Sequence, residues 1–221
     1  MVDNKKDSKT KIEQGDLVKI ELTGRLFDGS VFETTDENVA KKNEIWSNTS
    51  KYGPRLVVIG RGAMIAGLEE EIPKMKVGDY RKVHVACDKG FGSKHAELVR
   101  VMPQKEFEKR GVRAVAGLMV TLDGVPAMIK SVSSGRVMLD FNHPLAGEEL
   151  EYEVKLLEII SEPDKKANEL ANQFGAKIKI EQKDGKNSIV VQNGIENSKL
   201  RGLEASLHAC IGDWATITTS N

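Results

Sequence analysis

The sequence has no excess of charge of either sign: Lys plus Arg and Asp plus Glu are 33 each, so the formal net charge is zero. No field of one sign is available to draw in nucleic acid or an anionic membrane, and neither is an expected partner. Hydrophobic runs are short as well. No stretch approaches the roughly 18 apolar residues that suggest a membrane span. The opening run from Met1 to Lys11 is polar and lysine-rich, without the apolar segment of a signal peptide, so the expected location is the cytoplasm. Two cysteines, Cys87 and Cys210, lie far apart and form no C-x-x-C pair, which argues against a redox motif or a zinc knuckle and for buried free thiols. His84, His95, His143 and His208 show no i,i+4 pair or other ligand spacing. No metal and no cofactor are expected.

What is present is a succession of short patterned segments. From Asp16, Val18, Ile20 and Leu22 alternate with Lys19, Glu21 and Thr23, as in a half-buried strand, and Asp28-Gly29 supplies a hairpin turn into Val31, Phe32 and Glu33. Thr34-Thr35-Asp36-Glu37 has the residues of a helix start, and a long loop from about Lys42 to Pro54 holds Trp46 and Tyr52. Arg55 to Ile59 favours a strand and stops at Gly60-Arg61-Gly62. Ile65, Leu68 and Ile72 then recur at helical spacing until Pro73, which is expected to end that helix. Gly78-Asp79 turns into an alternating strand from Tyr80 to Cys87. The implied class is α+β, a strand-rich sheet with one short helix against it.

Between Leu98 and Phe141 short strands alternate with tight turns. Leu98, Val99 and Val101 precede Pro103, a helix around Phe107 ends at Gly111, and Asp123-Gly124 and Ser134-Gly135 separate Leu118 to Val120, Val125 to Ile129 and Val137 to Leu139. Leu150 to Ile160 is one long strand that needs a sheet to join, and joining the first sheet makes the middle unit an insertion. The expected domains are 12–96 with 142–161, an insert at 97–141, and a last unit at 162–221. In the last unit Ser161 is the expected helix cap, with Pro163 in the first turn. Ala167, Leu170, Ala171 and Phe174 form a stripe ended by Gly175; Ile178 and Ile180 lead to an Asp184-Gly185 turn and back through Ile189 to Val191. Leu200, Leu203, Leu207 and Ile211 make a second stripe before a β-favouring run from Trp214 to Thr219. At about 58 residues this α/β unit is near the lower size for independent folding and is expected to pack on something, a second copy of the chain being one option for a homodimer.

The segment Val58-Ile59-Gly60-Arg61-Gly62-Ala63-Met64-Ile65-Ala66-Gly67-Leu68-Glu69-Glu70, followed by Met75-Lys76-Val77-Gly78-Asp79, resembles the central strand, helix and turn of the FKBP-type peptidyl-prolyl isomerases. Asp28-Gly29 with Val31-Phe32-Glu33-Thr34 fits the preceding hairpin, and Lys89-Gly90-Phe91-Gly92 fits the loop that carries a pocket aromatic. Asn142-His143-Pro144-Leu145-Ala146-Gly147, then Leu150-Glu151-Tyr152-Glu153-Val154, is similar to the returning flap and last strand of the SlyD-like branch, in which a chaperone domain is inserted in the flap. The C-terminal extension and the loop before Pro54 look like the long-type archaeal members. The resemblance implies an antiparallel half-barrel sheet wrapped on a short helix, a small β-rich inserted domain and a C-terminal α/β domain. It also implies cis/trans isomerisation of X-Pro bonds, with chaperone activity, on prolyl peptides and unfolded or nascent polypeptides.

Residue by residue, the resemblance implies Ile65, Phe32, Glu33, Phe91 and Tyr152 as catalytic positions. Leu22, Val57, Met64 and Leu68 would bind substrate, with Leu145 near the rim and Met119 and Met128 in the insert. Ile65 matches the position whose backbone N–H holds a substrate carbonyl, and Leu68 would be the floor. Leu22 stands where Tyr is frequent in the family, Glu33 where Asp is, Leu68 where some members carry Trp, and Phe91 where Tyr often supplies a hydroxyl. Phe91 cannot donate that hydrogen bond, so the cleft is expected to rely more on excluding water. Met102, Met119, Met128 and Met138 suit a surface that adapts to unfolded chains, with core filling as the rival reading. The rival to catalysis is a holdase that binds prolyl or apolar segments, with the C-terminal unit serving assembly.

Overall fold

A computed structural model describes residues 11–183, 186–192 and 194–219; the opening run before Lys11 and the expected Asp184-Gly185 turn lie outside them. The chain divides into two compact units: the part up to Val85 together with the part from Leu150 onward, and Ala86–Glu149.

In the first unit β1 (Leu17–Leu26) buries Val18, Ile20 and Leu22 in alternation. One edge of β1 is shared by β2 (Val31–Thr34) and β3 (Arg55–Val58); the other pairs along its whole length with β9 (Leu150–Ile160), and β4 (Tyr80–Val85) pairs with the far edge of β9. All four pairings are antiparallel. The hairpin turn is fixed by Asp28, whose Oδ1 accepts the Ser30 N–H and hydroxyl at 2.9 and 2.6 Å. Asp36 caps α1 (Glu37–Lys42) by accepting the N–H groups of Asn38 and Val39.

Two local expectations need correction here. The helix α2 (Ala66–Glu71) is shorter than its apolar spacing suggested: Ile65 is its cap, with extended backbone, and only its carbonyl joins the helix by accepting from Leu68 and Glu69. The α-helix stops before Pro73 as expected, but the helical course does not end there. Pro73 sits inside a 3-10 turn, Ile72–Lys74, where its missing N–H leaves no bond unmade. Nor does β4 reach Cys87; it stops at Val85 because its ladder partner on β9 there is Leu150, the first residue of that strand. The helix and β4 lie close: a Cβ on Gly67 would come within 2.7 Å of Val85 Cγ1.

After β9, α4 (Pro163–Phe174) starts with Pro163 at its first position, so Glu162 and not Ser161 is the cap residue. Ser161 Oγ is buried without a hydrogen-bond partner among the described residues. Gly175 closes α4 in the left-handed conformation. A three-stranded sheet follows, β10 (Ile178–Lys183) antiparallel to β11 (Lys186–Val191), and β11 parallel to β12 (Ala215–Thr219), with α5 (Asn197–Ile211) making the crossover. Trp214 falls in a 3-10 turn before β12. Ala167, Leu170, Leu203, Leu207, Ile189 and Val191 share one core with Leu17 and Ile160, so the C-terminal helices pack on the end of the first sheet.

The second unit holds β5 (Val99–Pro103), α3 (Gln104–Lys109), β6 (Met119–Leu122), β7 (Val125–Ser133) and β8 (Arg136–Asp140), in the sheet order β5-β8-β7-β6. Asp123-Gly124 and Ser134-Gly135 all have positive φ, the two-residue hairpin geometry whose twist matches the flanking strands. Phe107 of α3 plugs a core of Leu122, Ala127, Ile129, Val137 and Leu139. No helix among the described residues is long and apolar enough to cross a membrane.

Candidate active site

Tyr152 is the centre of the site. The register of β9 sets it between Gly24 on β1 and Val83 on β4, on the buried face, where it is 1% exposed. Consecutive strand residues ordinarily point to opposite faces. Here β2 carries one extra residue: Gly24 pairs with Glu33 and Arg25 with Val31, leaving Phe32 as the bulge. A bulge re-aims side chains. Phe32 meets the Tyr152 ring edge-on, with centroids 5.6 Å apart at 84°, and the Tyr152 hydroxyl donates to Glu33 Oε1 at 2.8 Å. Gly24 leaves the room this takes, because a Cβ there would lie 2.6 Å from Phe32 Cζ and 2.9 Å from Tyr152 Cε1. The other oxygen of Glu33 faces Arg55 Nη2 at 3.4 Å. Burial, then the negative charge of Glu33 and its hydrogen bond, hold the Tyr152 phenol far above its usual range, so the hydroxyl remains a donor.

Ile65 and Met64 are half-buried, and the Ile65 N–H meets no acceptor among the described residues. The preceding loop contains Gly60 and Gly62 at positive φ and is held by Glu69, whose Oε2 accepts the Gly60 N–H at 2.8 Å and whose Oε1 accepts that of Ala63 at 3.1 Å. Leu22, Val57 and Leu68 are buried, as Tyr152 is.

Phe91 and Leu145 belong to the second unit. Phe91 stacks face to face on His143, with centroids 4.2 Å apart, and His143 Nδ1 accepts the Leu145 N–H at 3.1 Å. Met119 and Met128 stand opposite each other in the β6–β7 ladder; Met119 is 51% exposed and Met128 half-buried. Met138 and Val101, paired across β8 and β5, are 40% and 54% exposed, whereas Met102 packs against the core. Gly24, Arg55, Glu69 and His143 enter these contacts only in the folded chain. Gly24 alone carried a local signal, since a glycine inside an alternating strand marks a bulge or a close approach. Among the described residues no three His, Cys, Asp or Glu side chains are grouped to hold a metal ion.

The chain is similar in sequence to known peptidyl-prolyl cis-trans isomerases. The chain is 27% identical over 152 residues to an FKBP-type 16 kDa peptidyl-prolyl cis-trans isomerase of Escherichia coli, a match spanning 67% of this chain and 93% of that protein. It is 34% identical over 148 residues to the short-type peptidyl-prolyl cis-trans isomerase of Methanocaldococcus jannaschii, spanning 67% of this chain and 94% of that protein. The chain belongs to the FKBP-type peptidyl-prolyl cis-trans isomerase family. Within this family its likeness extends to SlyD: the Helicobacter pylori protein is 34% identical over 116 residues, 50% of this chain and 61% of that one. Residues 100–145 match the family model described as FKBP26, IF domain, a stretch that holds α3, β6, β7, β8 and nearly all of β5.

Proposed function

We propose that this FKBP-type chain accelerates cis/trans isomerisation of X-Pro bonds in unfolded or partly folded polypeptides in the cytoplasm. In this reading Phe32, Met64, Ile65 and Tyr152 form the apolar cleft, and the β5–β8 sheet serves as a chaperone surface. The observation that carries the reading is the convergence of Phe32, Glu33 and Tyr152 over Gly24, together with an Ile65 N–H that no group among the described residues engages.

The chemistry asks for few polar groups. The barrier to rotation about a prolyl bond is about 20 kcal/mol and comes from amide resonance. The planar imide is more polar than the twisted one, so a cleft of aromatic and aliphatic walls favours the twisted state, and the Ile65 N–H orients the peptide by holding a carbonyl. Each tenfold acceleration corresponds to about 1.4 kcal/mol. No nucleophile or general base takes part. The chain of bonds from Tyr152 through Glu33 to Arg55 stiffens the wall without touching the reacting bond.

The exposed Met119, Met138 and Val101, with Met128, support capture of unfolded chain, since methionine adapts to irregular apolar partners. Capture raises the effective concentration of prolyl bonds at the cleft. Pairing of two copies through the C-terminal unit belongs to the same reading, and sedimentation of the full chain tests it. A second reading, a holdase without turnover, is favoured by Phe91, whose ring faces His143 and which has no hydroxyl. Exchange measurements on a short prolyl peptide separate the two: acceleration supports the isomerase, and exchange at the spontaneous rate overturns it.

A further inference from the structure

The carbonyl end of α5 collects two cations. Lys166 of α4 donates to Cys210 O at 3.3 Å and to Gly15 O at 2.7 Å, with Asp16 Oδ1 3.4 Å away, and both Lys166 and Asp16 are buried. Arg61 donates from Nη2 to Ala209 O at 3.0 Å. The last carbonyls of a helix lack intrahelical partners and carry the negative end of its dipole, which suits both contacts. The same Gly15 and Asp16 are stitched to the end of β3: the Gly15 N–H donates to Ile59 O at 3.0 Å, and the Ile59 N–H donates to Asp16 O at 2.9 Å.

Ile59 leads directly into Gly60-Arg61-Gly62-Ala63, and the next residues are Met64 and Ile65. This loop is therefore tied at three places: through Gly15 and Asp16 at its start, through Glu69 at Gly60 and Ala63, and through Arg61 to α5. Its two left-handed glycines give it backbone freedom that these ties must remove.

We propose that the carbonyl end of α5 positions the Ile65 N–H through Arg61, so that the C-terminal unit sets the geometry of the prolyl site. Arg61 is a positioning residue: it acts on the substrate only through the loop it holds. The inference rests on the reading of the Ile65 N–H as the donor to substrate. Lys166 fixes the end of α5 against Gly15 and Asp16, which makes that end a firm anchor for Arg61. In Arg61→Ala the ties at Glu69 and Ile59 remain, while the middle of the loop is released.

The test uses the full chain as wild type, Arg61→Ala and Arg61→Lys, with two measurements: the amide resonance and order parameter of Ile65, and kcat/KM on a short prolyl peptide. Arg61→Ala is expected to shift the Ile65 resonance and lower its order parameter while the α4 resonances stay in place. Its kcat/KM falls about three- to tenfold, the factor that one ordinary hydrogen bond commands. Arg61→Lys, which can still reach Ala209 O, restores most of both. An Ile65 resonance and order parameter unchanged in Arg61→Ala overturn the proposal, as does a lysine variant that behaves like the alanine one. If the wild type does not turn over the peptide, the isomerase reading fails, and the Ile65 resonance still decides whether Arg61 positions it.

Discussion

The Tyr152 hydroxyl donates to Glu33 Oε1 at 2.8 Å, joining residues 119 apart in the chain, and the bond exists because a bulge at Phe32 turns two neighbouring side chains of β2 toward β9. The contact is thus a product of strand register.

Replacing Tyr152 by Phe keeps the ring and removes the bond, and is expected to cost about 1–2 kcal/mol in urea unfolding at neutral pH. The pH dependence follows from the raised phenol. The unfolded chain gives up this proton near the ordinary value of 10.0, while the folded chain keeps it. The stabilisation is therefore complete below about pH 10 and declines as pH rises further, by up to about 1.4 kcal/mol per unit. Tyr152→Phe should show a correspondingly shallower loss between about pH 10 and 11.

Gly24→Ala places a methyl group where Phe32 and Tyr152 meet. The side chains must part, at a cost of about 1–3 kcal/mol, and turnover of a short prolyl peptide should fall at least about tenfold as the wall deforms. Thermal unfolding and peptide exchange on the same sample check both. Unchanged turnover would separate the aromatic pair from catalysis.

On the β5–β8 sheet, Met119→Lys with Met138→Lys puts charge on an exposed apolar face while leaving the Phe107 core alone. Catalysis of a proline-limited refolding reaction should fall at least about tenfold more than turnover of a short peptide, because capture and not chemistry is lost. Equal losses on the two substrates would contradict the division of labour.

Burial pushes the Cys210 thiol up to about 11, so almost none of it is thiolate at pH 8. Cys87 is half-buried instead. Alkylation of the native protein at pH 8 should modify Cys87 first, and Cys210 only on unfolding, as peptide mass mapping would show.

Much of the fold could be read directly from the sequence where a local rule governs it. Leu150–Ile160, the Asp28-Gly29 and Asp123-Gly124 turns and the Gly175 stop emerge as expected because alternation and left-handed glycines act over a few residues. Where the expectation fails, the cause lies in a neighbouring residue or in longer-range structure. Ile65 has the spacing of a helical residue, yet it caps α2, because the preceding glycine loop is tied to Glu69 and approaches the helix from outside. Ser161 looks like a cap, but Pro163 takes the first helical position and moves the cap to Glu162. The roles of Phe32 and Glu33 came from resemblance, and their joint contact with Tyr152 depends on a pairing shift that no pattern within β2 encodes. Lys166 lies in an outwardly ordinary helical segment; only the packing of α4 and α5 on Gly15 and Asp16 makes it a buried cation.

The most direct test of the central claim is cis/trans exchange of a short prolyl peptide followed by NMR, with the full chain added at a small fraction of the peptide concentration. Exchange should rise well above the spontaneous rate, which has a time constant of tens to hundreds of seconds, and should drop sharply with Gly24→Ala. Exchange that stays at the spontaneous rate with folded wild-type protein would contradict the account.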